Sequence, residues 1–139
     1  MNAVPEGWRP IPRLSPFNAL IGPLYERRSA GEVLSVGLQI EEKHANSRGI
    51  CHGGLLATLA DLALGYALQS RLEGEKAGGF VTVQLSIDYA GSAKVGDWIE
   101  SEVRIQRIGA RLAFADCYLV AGGARIVRAS AIFARAEKE

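Results

Sequence analysis

The sequence predicts an α+β domain in which a curved antiparallel β-sheet wraps around one long central helix. Three observations carry that reading. A predominantly apolar run from Leu55 to Leu68 occupies the middle of the chain, with Asp61 the only charge between His52 and Arg71. One stretch before it and one after it alternate apolar and polar residues with period two, the pattern of half-buried strands, and three more strand-like runs follow. Gly-containing turns at Gly109-Ala110 and Gly122-Gly123 join the last three of these, as antiparallel hairpins require.

The elements follow in order. Pro5, Pro10, Pro12, Pro16 and Pro23 are all the prolines of the chain, and they confine rigid, non-sheet structure to the first two dozen residues. Residues 1–16 form a Pro-rich N-terminal extension without an apolar h-region, neither signal peptide nor anchor, so a cytoplasmic location is expected. A short helix or turn is expected over Phe17 to Leu24. From Val33, Leu34, Val36, Leu38 and Ile40 alternate against Ser35, Gly37, Gln39 and Glu41 as a strand, followed by a polar loop from Glu42 to Arg48. The apolar run is shorter than the roughly 20 residues a membrane span needs and contains Asp61, so it reads as a buried core helix fading near Glu73-Gly74. Val81, Val83, Leu85, Ile87 and Tyr89 then alternate as a strand. Asp97 to Ile108, Arg111 to Ala121 and Arg125 to Ala134 complete a four-strand meander.

At 139 residues the chain fits a single domain spanning 1–139, long enough to bury a core without staples. Its net charge of +1, from 16 basic and 15 acidic residues spread evenly, provides no basic stripe for nucleic acid. Cys51 and Cys117 have no metal-ligand spacing, so no metal is expected and both read as small buried residues.

The chemistry concentrates around the helix. A carboxylate on a buried helix costs several kcal/mol unless it is paired or hydrogen-bonded, which makes Asp61 the first candidate for function. At the helix start, Gly53 and Gly54 can bring bare backbone N–H donors against a ligand oxygen, an oxyanion-hole device that a Cβ would obstruct. Asp61 lies eight residues beyond Gly53, about 12 Å along the helix axis. One subunit cannot aim both groups at one carbonyl, so a shared reaction needs a two-fold related copy. Each residue also has a plainer reading: Asp61 as an interface carboxylate, His52 as a helix cap, Asn46 as a turn residue.

Taken together, Asn46-x-x-Gly49-x-x-His52-Gly53-Gly54 and Leu59-Ala60-Asp61 resemble the signature of hotdog-fold thioesterases of the phenylacetate-degradation type. The similarity runs from about Phe17 to Phe133. It includes Asp88-Tyr89 and Ala93-Lys94-Val95-Gly96-Asp97, with Ser92 where the family commonly has proline, a mild departure on a turn. The resemblance implies a hotdog fold and hydrolysis of an acyl-coenzyme A thioester. The Gly53 amide would polarise the carbonyl, and Asp61 of the opposite subunit would act as nucleophile or general base. It further implies that Asn46 and Thr82 place water or the nucleophile, that His52 and Gly54 lie beside the carbonyl, and that a homodimer, assembled as a homotetramer, completes the site. No cofactor is implied, because coenzyme A is part of the substrate. Arg107, Arg111 and Arg125 are candidate contacts for its phosphates, or else a solvated strand face. Phe17, Leu20, Leu24, Leu62 and Tyr66 could border an acyl pocket or simply pack.

Two other functions compete. A hydratase or dehydratase on the same fold is disfavoured because His52 stands in His-Gly-Gly rather than His-x-x-Gly. A non-catalytic acyl-thioester binding or sensing module would use the same pocket without turnover.

Overall fold

The computed structural model describes residues 4–72 and 79–136. Strands β1 (Arg9–Pro10), β2 (Tyr25–Ser29), β3 (Glu32–Gln39), β4 (Phe80–Tyr89), β5 (Trp98–Ile108), β6 (Leu112–Ala121) and β7 (Ala124–Arg135) form one sheet in the order β1-β2-β3-β5-β6-β7-β4, with every pairing antiparallel. A short helix α1 (Pro16–Ile21) precedes β2, and the long helix α2 (Gly53–Arg71) lies against the concave face of the sheet. The α+β prediction therefore holds, and among the described residues no helix is long and apolar enough to cross a membrane.

The core forms where helix and sheet meet. Leu56, Leu59, Ala60, Ala63, Leu64 and Leu68 of α2 are buried against Val36, Leu38, Ile99, Ala115, Leu119, Val127, Ala129 and Phe133. The helix is apolar around most of its girth, but the sheet does not cover all of it. A strip through Gly54, Ala57, Asp61, Gly65 and Gln69, one turn apart, stays exposed or half-buried. The helix ends at Arg71, with Leu72 as its cap; the expected fading point at Glu73-Gly74 lies outside the described residues.

Three expectations are corrected. The four C-terminal strands are not a simple meander: β5, β6 and β7 are, but β4 pairs with β7 and becomes an edge strand, while β5 pairs with β3. Strand β5 already pairs with β3 on one edge and β6 on the other, so neither edge is left for β4. The proline-rich start is not free of sheet, because Arg9 and Pro10 pair with Glu26 and Tyr25. An edge position tolerates Pro10, since a terminal strand need not donate every N–H. Strand β2 escaped prediction because Tyr-Glu-Arg-Arg-Ser lacks apolar alternation. Its Glu26 is nonetheless 1% exposed, held by Arg9 at 3.0 Å and Arg28 at 2.7 Å. In β3 it is Val33 and Ser35 that are buried, whereas Leu34 faces out, because Ser35 pairs with Arg27 and Val33 with Arg28, which leaves Leu34 as a bulged extra residue.

Strand β4 contains one irregularity that matters below. Thr82 is opposite Phe133, yet Gln84 is opposite Ile132, so Val83 is an extra, bulged residue. Simple alternation would put Thr82 on the face opposite to Leu85, Ile87 and Tyr89. The bulge brings it onto their face, towards the helix, and turns Val81 and Val83 outward, 58% and 59% exposed.

Candidate active site

The start of α2 is held open by its own cap. His52 has extended backbone (φ −62°, ψ 132°), and its Nδ1 accepts the Gly54 N–H at 2.8 Å. Its carbonyl accepts from Leu55 and Leu56 at 3.0 and 3.2 Å. Gly53 N–H is therefore the one donor of the first turn with no acceptor among the described residues. The two glycines differ in their reasons. A Cβ on Gly54 would stand 3.0 Å from His52 Nδ1, so glycine there makes room for the capping ring. A Cβ on Gly53 would meet only the Tyr89 ring, at an ordinary 3.5 Å. Intramolecular packing does not demand glycine at 53, and the bare backbone keeps the approach to its free amide clear.

Asp61 lies half-buried on the uncovered strip of α2, and Thr82 Oγ1 donates to its Oδ1 at 2.6 Å. The bulge at Val83 is what gives Thr82 that aim. At the other end of the same strand, Tyr89 Oη donates to the Gly53 carbonyl at 2.7 Å. Strand β4 thus touches both ends of the constellation.

Asn46 serves the loop that delivers His52. Its Oδ1 accepts from Arg48 N at 2.9 Å and Ile50 N at 3.3 Å, and Gly49 turns the chain at φ +78°. Only its amide NH2 is left to act on anything else. Arg107 and Arg111 are exposed at the β5–β6 turn. Arg107 belongs to the row Gln84, Ile132, Phe114 on the outer face of the sheet, away from Asp61 and Gly53. Arg125 pairs with Glu102 at 3.2 Å and stacks on Tyr118, also on that face. A cleft of about 310 Å³ beside the helix start is bordered by Phe17, Ile21, Lys43, His52, Leu55 and Thr58. Two of its walls were hidden in the sequence. His44, inside the expected polar loop, is 2% exposed; it accepts from Glu41 N at 2.8 Å through Nδ1 and donates to Ile21 O at 2.6 Å through Nε2. Lys43 holds the Gly22 carbonyl, so both residues fasten α1 over the cleft.

Cys51 and Cys117 are free and buried, and burial raises their thiols to about 11 and about 12. Among the described residues no cluster of His, Cys, Asp or Glu could hold a metal ion.

The family profile of the thioesterase superfamily matches residues 48–127, the span that carries the capped helix, Asp61 and β4. The chain belongs to the thioesterase superfamily. As a member it is a thioester hydrolase, and its helix held in a curved sheet is the hotdog fold expected from the Asn46-to-Asp61 motif. A Pseudomonas aeruginosa protein named "Putative esterase" is 45% identical over 96% of this chain and 98% of its own length. The acyl-coenzyme A thioesterase 13 of Mus musculus is 38% identical over 63% of this chain and 61% of its own. A Streptococcus mutans protein solved bound to acetyl CoA superposes with a TM-score of 0.68 at 26% identity, covering 78% of this chain and 84% of that one.

Proposed function

We propose that this thioesterase hydrolyses an acyl- or aryl-acyl-CoA thioester to the free acid and coenzyme A, at a site completed by a second copy of the chain. The observation that carries the reading is the free Gly53 N–H at a capped helix start, with Asp61, gripped by Thr82, more than two turns further along the same helix. A carbonyl resting on Gly53 is out of reach of the same protomer's Asp61 and within reach of a partner's.

Strand β4 supplies the means of pairing. It is ten residues long, its outer edge is unpaired among the described residues, and Val81 and Val83 stand exposed on it. Antiparallel pairing of two such edges, with Thr82 of one opposite Tyr89 of the other, would set each Asp61 beside the other copy's Gly53. In that dimer the Gly53 amide takes up charge developing on the thioester oxygen, with His52 and Gly54 beside it and the Asn46 amide directed at the attacking group. Asp61 either removes a proton from water as water adds to the carbonyl, or adds to it directly and is released by water. Either way the C–S bond breaks and the coenzyme A thiolate leaves, to be protonated to the thiol. Arg107 and Arg111 are the cations proposed for the coenzyme's phosphates. A homotetramer would join two dimers through the outer sheet face, where Asp88 pairs with Arg128 at 2.9 Å and Asp116 with Arg104 at 3.2 Å.

The test measures thiol release from acetyl-, hexanoyl-, palmitoyl- and benzoyl-CoA by wild type and Asp61→Asn. Turnover by wild type that falls at least about a hundredfold in the variant, with binding retained, is expected. Full turnover in the variant refutes the assignment of Asp61.

A further inference from the structure

The start of α2 has a mechanical weakness. Two successive glycines have no side chains with which to pack, and glycine has the greatest backbone freedom of any residue. Helix ends fray, and here the fraying end is the one that presents the free amide. The sheet offers a remedy in Tyr89, whose hydroxyl bonds the Gly53 carbonyl at 2.7 Å and whose ring lies 3.5 Å from where a Gly53 Cβ would be.

That carbonyl belongs to the peptide between Gly53 and Gly54. The other end of the same peptide, the Gly54 N–H, is bonded to His52 Nδ1 at 2.8 Å. A hydrogen bond to a peptide carbonyl polarises the unit and strengthens its N–H as a donor, so the two bonds reinforce one another. With Nδ1 accepting, the neutral His52 ring carries its proton on Nε2, and the ring is exposed. The row Tyr89 Oη–H, Gly53 C=O, Gly54 N–H, His52 Nδ1 thus fixes the plane of the Gly53-Gly54 peptide and the tautomer of His52 together, on the residue whose N–H, in the adjoining His52-Gly53 peptide, is the free donor.

We infer that Tyr89 is a positioning residue for thioester hydrolysis, anchoring the Gly53-Gly54 peptide so that the Gly53 amide and His52 Nε2–H are held towards one carbonyl oxygen. The inference rests on the reading that Gly53 polarises the substrate carbonyl. Tyr89 is itself 53% exposed at the end of an edge strand, so removing its hydroxyl takes little from the core.

The experiment compares wild type, Tyr89→Phe, Asp61→Asn and the double variant. The substrate is whichever of the four acyl-CoA thioesters wild type hydrolyses fastest. Tyr89→Phe is expected to lower kcat about tenfold with KM within about twofold and an unchanged melting temperature. A structural role alone would not move the second readout, the infrared carbonyl stretch of the thioester bound to Asp61→Asn. Polarisation lowers that frequency, and in the double variant it should return part-way to its value in solution. A kcat for Tyr89→Phe within twofold of wild type overturns the inference, as does a lowered kcat with the same carbonyl frequency in Asp61→Asn and in the double variant. Full turnover by Asp61→Asn, or a bound carbonyl at its solution frequency in that variant, instead removes the underlying reading and the inference with it.

Discussion

Replacing Thr82 by valine deletes one hydroxyl and adds a methyl of similar size, leaving a β-branched residue suited to a strand. The lost group is the donor at 2.6 Å from Asp61 Oδ1. Hydrogen bonds to charged groups contribute about 1.5–3 kcal/mol, and the exposure of Thr82 places this one at the low end. At about 1.4 kcal/mol per factor of ten, kcat/KM should fall roughly 10- to 20-fold. Folding should barely change, since Thr82 contributes nothing to the core. Thr82→Ser is the control, because it keeps the oxygen and should remain within about threefold of wild type. Steady-state thiol release over a range of substrate concentrations measures both variants, with melting temperatures recorded beside them. A valine variant retaining more than half of wild-type kcat/KM would show that the hydroxyl does not hold Asp61 for catalysis. A serine variant as impaired as valine would show that the methyl, not the hydrogen bond, matters.

Gly53→Ala should fold normally, because its Cβ meets only an ordinary contact at Tyr89, yet lose about a hundredfold in kcat as the methyl blocks the amide; circular dichroism and thiol release separate the two effects. The buried thiols predict an alkaline limit to stability. Their folded values of about 11 and about 12 exceed the ordinary 9.0, so the unfolded chain releases protons first as pH rises. Their contribution is complete below pH 9 and is lost progressively towards pH 11 to 12. Urea midpoints measured between these limits should fall, and fall less steeply in Cys117→Ala.

Much of the fold was legible because burial imposes periodicity. The apolar stretch of α2 and the alternation of β3 to β7 are direct imprints of a helix inside a sheet. What escaped has a physical reason in each case. Strand β2 hides behind a buried Glu26 satisfied by two arginines, which no pattern of apolar residues can reveal. The position of β4 depends on long-range pairing with β7, and period two says nothing about which neighbour a strand takes. At the site, Asp61 and Gly53 stood out because a lone carboxylate and a bare helix start break the local pattern. Tyr89 entered only as the last member of an alternating strand and within the Asp88-Tyr89 resemblance, with no role at the site attached to it. A hydroxyl-bearing aromatic at a strand end, on the helix-facing side, was the available signal. Asn46 shows the reverse: its spacing suggested chemistry, and its carbonyl is spent on the loop.

The bulge at Val83 has an evolutionary corollary. Inserting a single residue into β7 between Ile132 and Phe133, opposite Val83, would remove no functional group and would leave His52, Gly53, Asp61, Thr82 and Tyr89 all present. It would nevertheless give Val83 a partner, restore plain alternation in the first part of β4 and rotate the Thr82 hydroxyl to the outer face. A comparison scoring residue identities would record one gap and an intact motif. The information that aims this hydroxyl is therefore stored as a count of residues, and a homologue keeping the letters but not the count would have lost the contact to Asp61.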